Sequence, residues 1–300
     1  MGLLSLDTLQ KLARSLRKMH LDPIVGTGRA FARRIFRDVS MQIDGFSMTT
    51  PFGQRAFLHD LATGVNLDSF QWGLFKRSVR LGNVVLDIGA HIGWYTLQAA
   101  RAAGPAGRVY AFEPDPQNYS TLLKNVHTNG LEGRVVLVPK AVWDRPGRAV
   151  FFIDGTSAGA RSTSSLVAMP LTMQEEIRVE CVSVDDFLAT SGSVKVDVVK
   201  MDVEGAELRV LKGMERTLAP SGAHLVMFVE CNPGALRAAA YTVADLLEQL
   251  EEFGFVVMAI DEHNGRFYSP EPAAIEKPLY TNLLCVRERR TLDILAQMSS

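Results

Sequence analysis

Cysteine is scarce. Cys181, Cys231 and Cys285 stand far apart in a chain of 300 residues, an odd set that excludes a disulfide scaffold and reads as reduced core thiols, favouring a cytoplasmic setting. Long apolar runs are lacking too. None approaches the roughly 18 residues needed to span a bilayer, and no secretory h-region is expected at the start. A dominant charge sign is also missing: the net charge is −1 and the pI near 6.6, which argues against a nucleic-acid binder and its strongly basic face. The six histidines form no HxxxH or similar pair, so a structural zinc site has no support.

What is present is ample material for a core, 47% apolar, and one stretch that organises the rest. Val84-Val85-Leu86-Asp87-Ile88 is an apolar run of strand length interrupted by one carboxylate. It turns through Gly89-Ala90-His91-Ile92-Gly93 into a segment with helical spacing at Leu97, Ala100 and Ala103. Glycines at 89 and 93 let backbone approach a ligand, and the helix amides beyond form a weakly positive site. A second strand, 108–112, ends in Glu113, 20 residues past Gly93. In a βαβ unit that spacing brings the acid to a ribose, where it accepts from two hydroxyls.

The middle glycine of a dinucleotide turn is absent, because the pattern is Asp87-x-Gly89-x-x-x-Gly93. A carboxylate before the turn repels a pyrophosphate but attracts the cationic amino-acid end of S-adenosylmethionine. An ordinary α/β turn with no ligand is the bland alternative.

In chain order, residues 1–80 read as a mostly helical extension. Leu6, Leu9, Leu12, Ala13, Leu16 and Met19 recur at helical spacing, and the first 40 residues hold eight basic against three acidic positions. A solvated cap or dimer arm is favoured over contact with an anionic membrane, a targeting role or an acidic substrate. Strand and helix then alternate over 81–288. Lys140-Ala141-Val142 offers small and apolar residues suited to an adenine face. Residues 144–175 look like an insertion, either a mobile loop at the mouth of a site or a plain surface excursion. A further strand, 196–201, leads into Asp202-Val203-Glu204-Gly205-Ala206-Glu207, and another, 225–229, ends in Glu230. Open α/β sheets bind their ligands at such carboxyl ends. Helix capping accounts for Glu207 and accounts poorly for Asp202. Residues 289–300 are read as a short tail helix.

Four segments together resemble a known family. The glycine turn, Val109-Tyr110-Ala111-Phe112-Glu113-Pro114, Val184-Asp185-Asp186-Phe187 and Lys200-Met201-Asp202-Val203-Glu204-Gly205-Ala206-Glu207 are similar to FkbM-family S-adenosylmethionine-dependent methyltransferases. The resemblance implies a doubly wound, seven-stranded, mostly parallel Rossmann-like sheet with the last strand antiparallel. It also implies O-methylation of a hydroxyl on a natural product, sugar or glycan. By the same resemblance Asp87, Gly89 and Gly93 hold the methionine end, Glu113 the ribose hydroxyls and Ala141 the adenine region, Ala90, His91 and Pro114 are cofactor-binding with them, and Asp202 closes the site near the sulfonium. His91 stands where many members have asparagine.

Methyl transfer to an aliphatic hydroxyl needs a near-attack arrangement and a group that takes the proton. Asp202, Glu204 and Glu230 are the candidates for the base, ahead of His91 and Lys200. A divalent metal held by these acids is the less favoured reading. The implied partner is a small hydroxylated acceptor, with no nucleic acid, and a homodimer is compatible with the pattern. Two other classes stay in view: a catalytically silent methyltransferase-like binding protein, and a nicotinamide-dependent oxidoreductase. The latter is disfavoured by the missing glycine and the lack of a Tyr-x-x-x-Lys pair.

Overall fold

Thirteen strands and eleven helices occupy the described residues of the computed structural model, which are 38–51, 54–63, 69–154, 165–167, 174–192, 195–219 and 224–297. The basic helix expected near the start and most of the polar run of 155–165 lie outside them. Contacts separate residues 1–39 from 40–300, and the main sheet and the candidate site belong wholly to the second unit.

The described part of the extension opens on a hairpin instead of a helix. β1 (Val39–Ile43) and β2 (Phe46–Thr50) flank Asp44 and Gly45, both at positive φ (47° and 77°), the pairing that two-residue hairpin turns require. Helices α1 (Arg55–Thr63) and α2 (Ser69–Ser78) follow. Then come β3 (Val84–Ile88), α3 (Trp94–Ala103), β4 (Arg108–Phe112), α4 (Pro116–Thr128), β5 (Val135–Val138) and β6 (Ala141–Val142). Next are β7 (Gly147–Asp154), β8 (Gln174–Val182), α5 (Val184–Thr190), β9 (Val198–Met201), α6 (Glu207–Lys212) and α7 (Glu215–Leu218). The chain finishes with β10 (Val226–Cys231), α8 (Pro233–Ala238), α9 (Val243–Glu252), β11 (Val256–Asp261), β12 (Arg266–Tyr268), α10 (Pro272–Ile275), β13 (Thr281–Val286) and α11 (Arg289–Gln297).

The main sheet runs β12-β11-β13-β10-β9-β3-β4-β5. Strands β5, β4, β3, β9 and β10 are mutually parallel, and β13 lies antiparallel between β10 and β11. The doubly wound plan and the antiparallel last strand are as the resemblance implied. The sheet has eight strands instead of seven, because the chain doubles back after β11 through a turn held by Asp261, whose carboxylate accepts from the Asn264 N–H at 3.0 Å.

Winding reverses between β3 and β9, the switch point where crevices open at the strands' carboxyl ends. Burial on both faces explains the continuous apolar runs: Val85, Leu86, Ile88, Val199 and Met201 are all fully inaccessible. The three cysteines are buried free thiols.

Two further features position the site. The stretch read as an insertion is bounded by a long antiparallel ladder, Gly147↔Cys181 to Asp154↔Gln174, with β6 on its other side. The N-terminal hairpin is stitched to the glycine turn by Asn125 of α4. Its amide accepts from Thr49 N (2.8 Å) and donates to the carbonyls of Thr49 (3.0 Å) and Ile92 (2.8 Å).

Candidate active site

The glycine turn and the acidic turn are built against one another. Asp202 N–H donates to the Ile88 carbonyl at 2.9 Å, extending the β3–β9 pairing past both strand ends. Gly89 sits at φ 85°, and a Cβ there would lie 1.8 Å from the Asp202 carbonyl oxygen. Glycine is required at this crossing. Gly89 and Ala90 N–H both donate to Phe112 O (3.0 and 2.9 Å), which seats the turn beside the end of β4. Gly93, at φ 97°, starts α3. Asp87 lies beneath the turn, 1% exposed, accepting the Thr96 hydroxyl. Burial pushes its carboxyl up to about 6, against that hydrogen bond and the Lys200 charge.

Glu113 is held rigidly at the end of β4. Oε2 accepts His91 N–H and Oε1 accepts Asp115 N–H, each at 2.8 Å, while burial lifts its carboxyl to about 8. Asp115 in turn caps α4 through the amides of Gln117 and Asn118. His91 has φ 52°, and its ring stands edge-on to Phe57 at 5.0 Å. The imidazole Nε2 is buried and has no hydrogen-bond partner among the described residues. Burial lowers the ring's pKa to about 4, so it is neutral at pH 7.

Beyond β9 and β10 the carboxylates of Asp202, Glu204 and Glu230 converge, with one oxygen of each within 4.8 Å of the others. Lys200 lies beside Asp202: it is 3% exposed, its Nζ 3.5 Å from Asp202 Oδ2 and 5.3 Å from the Tyr95 ring centroid. Glu204 occupies a left-handed conformation at φ 51°, a state non-glycine residues adopt only when the surroundings enforce it. Two contacts enforce it here. The Ser165 hydroxyl hydrogen-bonds the Glu204 carbonyl at 2.6 Å. Asn232 Nδ2 donates to Glu204 Oε2 at 2.9 Å, and the same amide's oxygen caps α8 through Gly234 and Ala235 N–H. Burial first, then the Asp202 charge, raise the Glu204 carboxyl well above the ordinary range. Glu207 does local structural work, accepting the Gly205 N–H at 3.1 Å in the first turn of α6.

The glycine turn and the acidic turn thus meet at the switch point of the sheet. The model of the methyltransferase FkbM domain matches residues 87–257, over half the chain. The chain belongs to the FkbM methyltransferase family. The 31-O-demethyl-FK506 methyltransferase FkbM of Streptomyces tacrolimicus is 32% identical over 206 residues, covering 60% of this chain and 75% of that protein. The 2-O-methyltransferase NoeI of Sinorhizobium fredii is 30% identical over 176 residues, 54% of this chain and 71% of that protein. The hexuronic acid methyltransferase AglP of Haloferax volcanii is 28% identical over 136 residues, and the match spans about half its length (52%) and 45% of this chain. Among solved structures, the FkbM methyltransferase of Methylobacillus flagellatus aligns with TM-score 0.42 and 18% identity over 68% of this chain and 43% of that one.

The FkbM domain match begins at Asp87 and ends within β11. Of the sequence candidates, Asp87, Gly89, Ala90, His91, Gly93, Glu113 and Pro114 lie together on the β3 and β4 ends, and the three acids on β9 and β10 form one cluster. Ala141, 4% exposed, lies in β6 and packs in the satellite cluster of the small sheet with Phe151, Ile153, Val179 and Cys181. Sequence reasoning passed over Asn232 and Ser165. The Asn-Pro-Gly run at 232–234 is a readable helix start, but its amide's reach to Glu204 depends on the strand register. In the described residues no helix is long and apolar enough to cross a membrane.

Proposed function

We propose that this FkbM-family methyltransferase moves a methyl group from S-adenosylmethionine to an aliphatic hydroxyl of a sugar or hydroxylated natural product, with Glu204 as base. The convergence of Asp202, Glu204 and Glu230 carboxylates beside the glycine turn carries this reading. The residues fit the cofactor. Each oxygen of Glu113 receives one backbone N–H and keeps a lone pair for a ribose hydroxyl, and the His91 Nε2 has no partner among the described residues. The methionine end is assigned to the 87–93 turn and the adenine to the backbone beside Ala141. When bound, S-adenosylmethionine supplies an electrophilic methyl group on sulfur.

Asp202, paired with Lys200, would supply negative charge toward that centre. Glu204 Oε1 is the oxygen left to receive the acceptor proton, since Oε2 takes the Asn232 amide. Glu204 would take that proton from the acceptor hydroxyl as its oxygen is methylated. A carboxyl raised by burial is the stronger base, which suits a weakly acidic alcohol. The geometry also suits a hard divalent cation, because three carboxylates share one small space.

The test is calorimetric titration with S-adenosylmethionine and with NAD, together with S-adenosylhomocysteine release on hydroxylated acceptors. Glu204→Gln is expected to lower kcat roughly 100-fold or more and to leave cofactor affinity intact. Cofactor binding with no turnover across sugar and macrocycle acceptors would return the silent binding protein. Activity lost to EDTA and restored by magnesium would give the acids to a metal instead.

A further inference from the structure

Gln71 is completely inaccessible, yet among the described residues neither its amide oxygen nor its amide nitrogen has a hydrogen-bond partner. Buried amides are almost always satisfied, so a group that leaves both ends open is arranged for something that binds. Its placement shows where that would be. Gln71, Leu74 and Phe75 form the buried face of α2. Phe75, one turn beyond Gln71, stands edge-on to Phe228 of β10 (5.6 Å, 71°) and to Tyr95 (4.9 Å, 88°). Tyr95 is the ring that receives the Lys200 ammonium beside Asp202.

The direction of α2 follows from its start. Phe70 and Gln71 N–H donate to the two oxygens of Glu262 (2.8 and 2.9 Å), the residue just after β11, and β11 runs parallel to β10 because both are antiparallel to β13. The N-terminal end of α2 therefore lies at the carboxyl-end edge of the sheet. Moving from Phe75 back to Gln71 climbs about 6 Å toward that edge. Moving from Phe228 to Glu230, on the same face of β10, climbs about 6.6 Å. Gln71 thus comes level with Glu230 and with Asn282, which faces Glu230 across the strands.

We infer that Gln71 is a specificity-determining residue that hydrogen-bonds a second hydroxyl of the acceptor, next to the one methylated. The assignment rests on the hydroxyl-methylation reading above. A primary amide offers a donor and an acceptor side by side, and a hydroxyl can answer either. A site built to bond a hydroxyl discriminates strongly against the analogue lacking it. An acceptor carrying neighbouring hydroxyls is the class that fits.

The probes are trans-cyclohexane-1,2-diol and cyclohexanol, compared in wild type and Gln71→Met by S-adenosylhomocysteine release and by calorimetric titration in the presence of S-adenosylhomocysteine. The diol-to-monool ratio of kcat/KM is expected to fall at least tenfold in Gln71→Met, through KM, with S-adenosylmethionine affinity unaltered and the melting temperature equal or higher. An unchanged ratio overturns the assignment. So does a clearly lower melting temperature, which would mean that the amide bonds within the protein. Diol binding that depends on Gln71 without turnover in wild type upholds Gln71 and overturns the methylation reading alone. Diol binding that Gln71→Met leaves unchanged overturns the Gln71 assignment, whatever the turnover. Absence of both binding and turnover overturns both.

Discussion

His91 shows how a single backbone angle constrains a binding turn. At φ 52° asparagine is among the few residues well tolerated, and a β-branched side chain is strained. His91→Asn is therefore expected to fold with a melting temperature close to wild type. His91→Val should lose about 1–2 kcal/mol in urea denaturation, and equal stability of the two variants would dismiss strain at this position. Glu113 is the other residue whose removal has a defined readout. With both oxygens fixed by backbone amides, Glu113→Ala is expected to abolish micromolar S-adenosylmethionine binding by calorimetry, while binding retained at wild-type strength would remove it from the ribose role. Glu204 sets the pH response. Its raised carboxyl must be ionised to accept a proton, so the rate with saturating acceptor should keep climbing through neutrality, and Glu204→Gln should flatten that limb.

At the scale of elements, Asn125 of α4 and Asn129 at its C-cap join pieces that the chain keeps far apart. Asn125 is fully buried and replaces a missing strand partner for Thr49 while also holding Ile92 in the glycine turn. Asn129, one turn on, does the same for Ser47, accepting its N–H at 2.9 Å and donating to its carbonyl at 3.0 Å. Asn125→Ala leaves three buried backbone groups open and should destabilise by about 2–4 kcal/mol. Cofactor affinity should weaken with it, since the turn loses its anchor. A urea midpoint near wild type would show that water or a local shift replaces the amide. The hairpin was legible and was passed over: β1 alternates apolar and polar at each of its five positions, Val39-Ser40-Met41-Gln42-Ile43, and the Asp-Gly pair after it is a hairpin-turn signal, whereas the reach of Asn125 and Asn129 to β2 depends on the tertiary structure.

For the whole molecule, four buried carboxyls at one sheet edge give stability a pH dependence of definite sign. Burial raises Asp87 to about 6, Glu207 to about 7 and Glu113 to about 8, and raises Glu204 as well. Each prefers its neutral form when folded, so its contribution is complete below the unfolded value near 4 and is lost as pH rises through the folded one. His91, lowered to about 4, contributes above pH 6.5 and loses that contribution as pH falls toward 4. The cofactor-free protein should consequently melt at progressively lower temperature from about pH 6 to pH 9, and Glu207→Gln should reduce the slope. A melting temperature flat across that range would contradict the burial of these groups.

Sequence by itself determined the plan and most of the candidate site. Alternating strands and helices, Asp87-x-Gly89-x-x-x-Gly93, Glu113 at its spacing and Asp202-Val203-Glu204-Gly205 are local patterns, and local patterns are carried by short-range sterics, capping and burial period. Which acids meet was decided by the tertiary structure. Glu230 reaches Asp202 and Glu204 because β10 pairs with β9 in a given register. Asn232 and Ser165 find Glu204 across 28 and 39 residues of chain. Ala141 lies in the small sheet because β6 pairs with β8. Contacts between distant segments depend on register and helix direction, which no residue type states alone, and Gln71 owes its place opposite β10 to the same cause.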